Sequence, residues 1–360
     1  MKKLLKVAFI CLIILSTFGC SKKQEEVDPS LNHYDVVLLT SDGSIYDGGF
    51  NENTYKGIKK YCDENELKYT YLMVAEYKDE DRAEVYDQAA NDFSANLLIA
   101  LGKEWINVVD KKSKQYPNTK VILLDGYGLD PRNNLVQIGF DEKDSGFLAG
   151  YLCVKDENKN LAFLAEKNDT RANNYLYGFI MGAEAAGKDL YLGWHRINMV
   201  IDNASEADAT SKADTLYEND TDVIFACGDS IIESVVEAAE EENTRYVVGS
   251  DYDHKELSDR VITSAIKDSE LVVYDVLTRA FGTNLNNWNE LANSQTIMSA
   301  EDGACRLPRN YTRFKNITAA DFQQAYDALT KTYHDTFESD ITIDAIKQLS
   351  LYYVNIDCMY

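Results

Sequence analysis

The chain has 360 residues, of which 45% are hydrophobic, and it carries 60 acidic against 36 basic side chains. The formal charge of −24 repels polyanions, which argues against a nucleic-acid partner. About 325 residues follow the N-terminal segment described next, which is enough for two domains of ordinary size.

The N-terminus has the pattern of an export signal. Three lysines precede an apolar run from residue 7 to 15, which is too short to span a bilayer. Cys20 directly follows a glycine, so residues 1–19 are interpreted as a lipoprotein signal peptide. Cys20 is then the lipid-attachment site, on the extracytoplasmic side of the cell membrane. The alternative is a plain secretory signal. The polar residues 20–33 are predicted to form a flexible tether.

Strand-like and helix-like segments alternate from residue 34 onward. The predicted strands are 36–39, 68–74, 97–101, 120–125, 136–140, 161–165, 191–201, 222–227, 245–250 and 261–266. The predicted helices are 51–66, 79–96, 103–115, 143–153, 171–187, 205–218, 230–242, 270–282 and 321–331. Because the strands are continuous apolar runs, this α/β alternation predicts parallel sheets with helices on both faces.

Ten strands are too many for one ordinary sheet, so two sheets are predicted, with a break after Asp125. This is the layout of the type I periplasmic-binding-protein fold, with two Rossmann-like lobes and a hinged cleft. The predicted N-terminal lobe is 34–135 plus about 252–301, since the strand 261–266 could return to the first sheet. The predicted C-terminal lobe is 136–251 plus about 302–345.

Enzyme signatures are missing from the sequence, which has no P-loop, GxGxxG or HExxH motif. The run Gly228-Asp229-Ser230 fails as a nucleophile elbow because Ile232 stands where a glycine is needed, and Ser230 is interpreted as a helix N-cap. His254 lies among acidic residues and is interpreted as part of a solvated turn rather than as a metal ligand. We therefore predict no catalytic centre, metal or cofactor.

Cysteines follow neither a zinc spacing nor a paired framework. Five remain once the signal peptide and Cys20 are set aside. A single bridge, for example between Cys305 and Cys358, stays open as an alternative to free thiols.

The loop after the first strand is the most informative segment for function. Ligands of open α/β sheets bind just beyond the carboxyl ends of strands, where this loop places Asp47, Phe50 and Asn51. Phe50 offers a flat apolar face, Asn51 a donor and an acceptor, and Asp47 an acceptor. This set suits a planar, polar small molecule. The alternative is a purely structural helix start, with Phe50 as a staple and Asn51 as the N-cap.

Further polar or turn residues stand at the ends of other predicted strands, namely Asp125, Gly228, Asp251 and Lys267. Each one alone is explained equally well as a cap or a hinge salt bridge. Together they repeat one arrangement, a polar group at a carboxyl end beside a turn. The sequence therefore predicts a single cleft that both lobes face.

These segments also resemble the basic membrane protein (BMP) family of ABC-transporter solute receptors, which includes purine-nucleoside receptors. The resemblance covers most of residues 35–285. Its first loop reads Asp47-Gly48-Gly49-Phe50-Asn51 here, with two glycines in place of the family's Lys-Ser pair. The other matching motifs are Ala95–Gly102, Leu124-Asp125, Gly146–Gly150, Tyr177–Phe179, Gly182-Ala183, Val248–Asp253, Thr263–Lys267 and Tyr274-Asp275.

The resemblance implies a lipid-anchored receptor that delivers a nucleoside to the permease and ATPase of an ABC importer. In such receptors the residues matching Asp251 and Lys267 hold the ribose hydroxyls, and those matching Phe50 and Asn51 address the base. The family's second stacking aromatic falls on Asn203 here, unless Trp105 or Trp194 replaces it. With Lys267 as the one nearby cation, acidic surroundings favour a nucleoside over a nucleotide.

Two other classes stay open. One is a sensor or signalling lipoprotein of the same fold that binds a sugar or another small polar ligand, which missing aromatic stacking would favour. The other is a secreted hydrolase, for which the sequence offers no nucleophile–base pair.

Overall fold

The computed structural model of the protein describes residues 33–193, 197–282, 287–310, 313–333 and 341–359. The predicted signal peptide, Cys20, the tether up to residue 32 and Trp194 lie outside these residues. No helix in the described ranges combines the length and apolar character needed to cross a bilayer.

The strands in the described part of the chain form two sheets. Their bounds are β1 Val36–Leu39, β2 Tyr69–Leu72, β3 Leu97–Leu101, β4 Lys120–Leu124, β5 Leu135–Phe140, β6 Asn160–Ala165, β7 Ile197–Asn203, β8 Val223–Cys227, β9 Tyr246–Asp251, β10 Val261–Lys267, β11 Ser294–Met298, β12 Cys305–Arg306 and β13 Val354–Cys358. The first sheet has the order β2-β1-β3-β4-β5-β11 and the second the order β13-β7-β6-β8-β9-β10-β12.

Helices cover both faces of each sheet, as the apolar strands require. Their bounds are α1 Phe50–Glu64, α2 Asp79–Asp87, α3 Ile106–Gln115, α4 Glu142–Lys155, α5 Thr170–Asp189, α6 Ala209–Glu218, α7 Asp229–Glu240, α8 Ser269–Phe281, α9 Trp288–Leu291, α10 Ala319–Tyr333 and α11 Ile343–Lys347. A π-helical turn, Gln88–Asp92, extends α2, and a 3₁₀ turn, Lys103–Trp105, precedes α3.

The two sheets repeat one topology. Strands β1 to β5 take the same relative order in the first sheet as β6 to β10 take in the second, and all of these pairs are parallel. The antiparallel β12 is a short addition beside β10. The predicted fold, two Rossmann-like lobes with parallel sheets, is confirmed.

The predicted lobe break after Asp125 is wrong. Strand β5 follows β4 without an intervening helix and pairs with it in the first sheet, from Val121 opposite Leu135 onward. The second lobe repeats this connection between β9 and β10, which also lacks a helix. The interrupted α/β alternation that suggested a domain boundary is therefore a short crossover within one lobe.

Strand β10 likewise does not return to the first sheet, because it pairs with β9 in the second. The predicted change of lobe at residues 251–252 is therefore wrong. Within the described residues the chain passes between the lobes after β5, after β10 and between β11 and β12. Helix α8 packs on α1 in the first lobe, whereas α10 packs on α4 in the second. The second lobe also extends past residue 345, because β13 adds an unpredicted parallel edge strand beside β7.

The described cysteines are free thiols; Cys62, Cys153, Cys227 and Cys305 are buried, and Cys358 is partly exposed. The bridge between Cys305 and Cys358 that the sequence left open is therefore not formed. Cys305 instead lies where β12 meets the lobe crossing, and its Sγ donates to the Met298 carbonyl at 3.4 Å.

Helices α4 and α5 pack at backbone contact in the second lobe. At each of four glycines an added Cβ would overlap a backbone carbonyl oxygen of the facing helix: Gly146, Gly150, Gly178 and Gly182. The pairs are spaced four residues apart, so each helix presents one face of glycines to the other. The glycine motifs noted in the sequence thus have a packing cause.

We expect Gly182→Ala to destabilise the protein, although alanine is the better helix former by about 1 kcal/mol. The new Cβ would overlap the Phe147 carbonyl oxygen, and overpacking usually costs about 1–3 kcal/mol. Urea unfolding measures the change. Lys188→Ala, at an exposed position of the same helix, is the control and should stay within about 0.5 kcal/mol of wild type. A more stable Gly182→Ala protein would contradict the close packing.

Candidate ligand-binding cleft

A buried lysine joins the two lobes at the floor of the cleft. Lys267, the last residue of β10, places Nζ 2.8 Å from Asp125 Oδ2 and 3.0 Å from Asp251 Oδ1. Asp125 follows β4 in the first lobe, and Asp251 ends β9 in the second. Lys267 and Asp251 are each 4% exposed. The structure thus brings three of the predicted site residues together, on one ammonium group.

The two aspartates occupy equivalent positions in the repeated topology. Each stands at the carboxyl end of the fourth strand of its lobe, and both have left-handed backbone conformations, with φ of 63° at Asp125 and 66° at Asp251. Aspartate tolerates this region better than most residues, yet it still costs free energy. The same strained conformation at both lobes aims two carboxylates at one point in the cleft.

Arg171 is a second cation in the site, and the sequence analysis missed it. It lies in the first turn of α5, and its guanidinium forms an ion pair with Asp251 Oδ2. Tyr175 adds a hydroxyl donor 3.3 Å from Asp251 Oδ1. Although burial alone would raise the pKa of Asp251, Arg171 and Lys267 hold it well below its usual value.

Arg171 could have been found by extending the strand-end argument into the next helix. It follows β6 by six residues, at the same edge of the sheet as Asp251, whereas the prediction considered residues directly at strand ends. The expectation of one nearby cation is therefore wrong.

The loop before α1 is held by its own polar side chains. The Asp47 carboxylate accepts from the backbone N–H groups of Gly49 at 2.7 Å and Glu52 at 3.1 Å, so Asp47 caps the helix. Asn51 is 2% exposed; its amide donates to Asp47 Oδ2 at 2.9 Å and accepts from the Ser41 backbone at 3.0 Å. Asp47 and Asn51 therefore shape the loop that presents Phe50.

Phe50 begins α1 and is partly buried beside the charged cluster. Its ring lies 4.9 Å from Lys267 Nζ and meets Phe140 edge-on at 6.0 Å between ring centroids. An ammonium over an aromatic face is an attractive contact. Phe50 thus belongs to the same cluster as Asp125, Asp251 and Lys267.

Gly228 stands at the end of β8 with φ of 139°, a conformation that favours glycine. A Cβ there would overlap the side chain of Glu166, which follows β6. Gly228 is also the N-cap of α7, so the predicted capping role of Ser230 is wrong. The site needs glycine here because backbone and Glu166 approach closely at the cleft edge.

A second aromatic face is not supplied by Asn203 or Trp105. Asn203 ends β7, and its carbonyl accepts from Lys212. Trp105 is 0% exposed, and its Nε1 donates to the Thr40 carbonyl at 2.9 Å inside the first lobe. Trp105 therefore cannot replace the missing aromatic, and Trp194 lies outside the described residues.

Glu142, at the first residue of α4, is a further acidic group beside this cluster. It is 7% exposed, and its Oε2 accepts from Asn174 Nδ2 at 3.0 Å. Burial raises the pKa of Glu142 to about 7; the Lys267 charge opposes the rise and the Asp125 charge adds to it. Glu142 thus titrates near neutral pH at the floor of the cleft.

Comparison with known proteins agrees with this architecture. A model of the family described as ABC transporter substrate-binding protein PnrA-like matches residues 34–341. The chain belongs to this family. It is a substrate-binding protein of an ABC transporter and not an enzyme. Its partners are accordingly a small-molecule ligand and the permease and ATPase of a transporter.

Three similar proteins illustrate the match. Basic membrane protein D of Borreliella burgdorferi (strain JD1) is 23% identical over 347 residues, 94% of this chain and 98% of that protein. The ABC transporter nucleoside-binding protein BmpA of Lactococcus lactis subsp. cremoris (strain MG1363) is 22% identical over 273 residues, 67% of this chain and 73% of that protein. The solved structure of an ABC transporter solute-binding protein from Aeropyrum pernix K1 has a TM-score of 0.63 at 14% identity, covering 87% of this chain and 88% of that one.

Glu142 predicts a pH dependence of stability. Since its pKa is higher in the folded chain than the usual 4.5, the folded state binds this proton more tightly than the unfolded state. Stability should therefore fall as pH rises from about 4.5 to about 7, by up to roughly 3 kcal/mol, and then level off. Glu142→Gln should be less pH-dependent than wild type in this range.

Urea midpoints measured from pH 4.5 to 8 test this prediction. Glu237→Gln, a substitution at an exposed position of α7, is the matched control. Its urea midpoint should change with pH as that of wild type does. If the urea midpoints of Glu142→Gln and wild type change equally with pH, folding does not raise the pKa of Glu142.

Proposed function

We propose that this protein binds a nucleoside, with a purine favoured, in the cleft between the lobes and delivers it to an ABC permease. The protein would act on the extracytoplasmic side of the cell membrane, held by a lipid on Cys20. The ligand-binding residues are Phe50, Asp125, Asp251 and Lys267. Asp47, Asn51 and Gly228 shape the surrounding backbone.

The observation that carries this proposal is the cluster around Lys267. Two of its three N–H groups go to Asp125 and Asp251, and we assign the third to a ribose hydroxyl. The carboxylates accept from the hydroxyls, and the partly buried Phe50 ring next to the ammonium offers a face to the base. A nucleoside-binding relative of comparable length supports the same ligand class.

A sugar receptor or sensor of the same fold is the second candidate. It is favoured by the single stacking face, since neither Asn203 nor Trp105 presents an aromatic surface to the cleft. Calorimetry with purine nucleosides, their 2′,3′-dideoxy analogues and free pentoses separates the two. We expect purine nucleosides to bind more tightly than their dideoxy analogues and more tightly than free pentoses. Stronger binding of a pentose would instead establish a sugar receptor.

We expect Phe50→Ala to weaken nucleoside binding by about one to two powers of ten, because aromatic stacking on a base is worth about 1–3 kcal/mol. Calorimetry measures the dissociation constant, and thermal unfolding checks that the variant folds. Tyr191→Ala, which removes a 91% exposed ring, is the control and should bind as wild type does. An unchanged dissociation constant in Phe50→Ala would show that this ring is only a helix-start staple.

We expect a labelled fatty acid supplied to growing cells to be incorporated into the wild-type protein. The Cys20→Ala variant should carry no label. One acyl chain holds a protein to a membrane only marginally, and stable anchoring requires two or more. Fractionation of cells should therefore move Cys20→Ala from the membrane to the soluble fraction. A variant that stays labelled and membrane-bound would exclude anchoring at Cys20.

A further inference from the structure

Tyr252, the residue after Asp251, reaches from the second lobe to the glycine loop of the first. A Cβ placed on Gly49 would lie 2.8 Å from Tyr252 Cε1 and 2.9 Å from its Cζ. Real Cβ atoms do not approach a ring this closely. The ring of Tyr252 thus occupies the space that a side chain at position 49 would need.

The two glycines of this loop are glycines for different reasons. Gly48 has φ of 70°, which favours glycine, and an added Cβ there would meet nothing within 4 Å. Gly49 has φ of −120°, which is negative and does not demand glycine, but its ψ of −136° lies outside the extended and helical ranges that side chains prefer. At Gly49 the ring from the opposite lobe fills the space that a side chain would need, and this steric exclusion adds to the preference of the backbone for glycine.

Tyr252 cannot simply move aside, because His254 supports its ring from within the second lobe. The two ring centroids are 4.0 Å apart, with 36° between the ring planes. His254 is 4% exposed rather than solvated as predicted, and its Nε2 lies 2.9 Å from the Ser250 carbonyl oxygen. Behind it, a Cβ on Gly249 would lie 2.5 Å from His254 Cδ2, so this ring also has little room to retreat.

We propose that Tyr252 is the residue with which the second lobe closes on the first, by docking its ring on Gly49 beside the ligand loop. The contact forms in the ligand-free chain and slows the departure of a bound ligand. Only this last consequence rests on the proposed nucleoside function. Gly49 and Tyr252 then act as a pair, because the missing side chain at Gly49 leaves the space that the Tyr252 ring fills.

A second contact between the lobes supports closure in the same direction. Lys103, after β3 of the first lobe, places Nζ 2.6 Å from Asp169 Oδ2, at the start of α5 in the second. Lys103 is largely exposed, so this ion pair contributes little stability by itself. The packed ring of Tyr252 is therefore expected to contribute more to closure than the salt bridge.

A double-mutant cycle in the full chain tests the proposal, with Gly49→Ser, Tyr252→Ala and the combined variant. Without ligand, Gly49→Ser should increase the radius of gyration measured by small-angle scattering, because the new side chain holds the lobes apart. The same substitution should have no effect in the Tyr252→Ala background. Gly49→Ala, the smaller change, replaces Gly49→Ser if thermal unfolding shows that the serine variant does not fold.

Nucleoside dissociation, followed by stopped flow, gives the functional readout. Gly49→Ser should speed dissociation at least tenfold when Tyr252 is present and less than twofold when it is replaced. The closing contact would be overturned if Gly49→Ser changed the radius of gyration of the ligand-free protein equally with Tyr252 and with Tyr252→Ala. It would also be overturned if the substitution had no effect in either protein. If wild type binds no nucleoside while the radius still shows the coupling, the proposed ligand is wrong and the closing contact stands.

Discussion

The ammonium of Lys267 is the group on which the arrangement of the cleft depends. A lysine that is 4% exposed is costly unless its charge is paired, and its partners come from both lobes: Asp125 from the first and Asp251 from the second. Removing either carboxylate would leave a buried charge poorly compensated. Since Lys267 is also the last residue of β10, immediately before a crossing between the lobes, the same interaction fixes the crossing and the floor of the cleft.

The repeated topology explains why the two aspartates meet there. Both lobes place their fourth strand next to a fifth that is reached without a helix, so both present the same strand end to the cleft. The third strand of each lobe likewise ends at a glycine with positive φ, Gly102 in the first and Gly228 in the second. Unusual backbone conformations gather at the edge where the lobes face each other, as expected for a functional site.

Much of this could be predicted from sequence, because strand periodicity and strand-end residues are local signals. Strands β1 to β10, helices α1 to α8 and α10, and the convergence of Asp125, Asp251 and Lys267 follow from such signals. The lobe boundary could not be predicted, because a helix-less connection between parallel strands looks the same as a linker until the pairing of β4 with β5 is known. Arg171 and Tyr252 were missed because their roles depend on contacts with Asp251 and Gly49, which lie far away in sequence.

The hydrogen bonds that Asp251 already accepts limit what the cleft can bind. Lys267 and Tyr175 already donate to Oδ1, and Arg171 pairs with Oδ2. The two cations keep this carboxylate ionised, since its pKa is held well below the usual value despite burial. An ionised carboxylate only accepts hydrogen bonds, and each oxygen has two lone pairs, so a further donor can be added without displacing Arg171. Asp125 adds negative charge nearby, and Glu142 adds more where the pH is high enough to ionise it, so a phosphate would have to overcome this charge. The cleft is therefore chemically suited to hydroxyl and N–H donors on a neutral ligand, in spite of its two cations, the buried Lys267 and the partly buried Arg171.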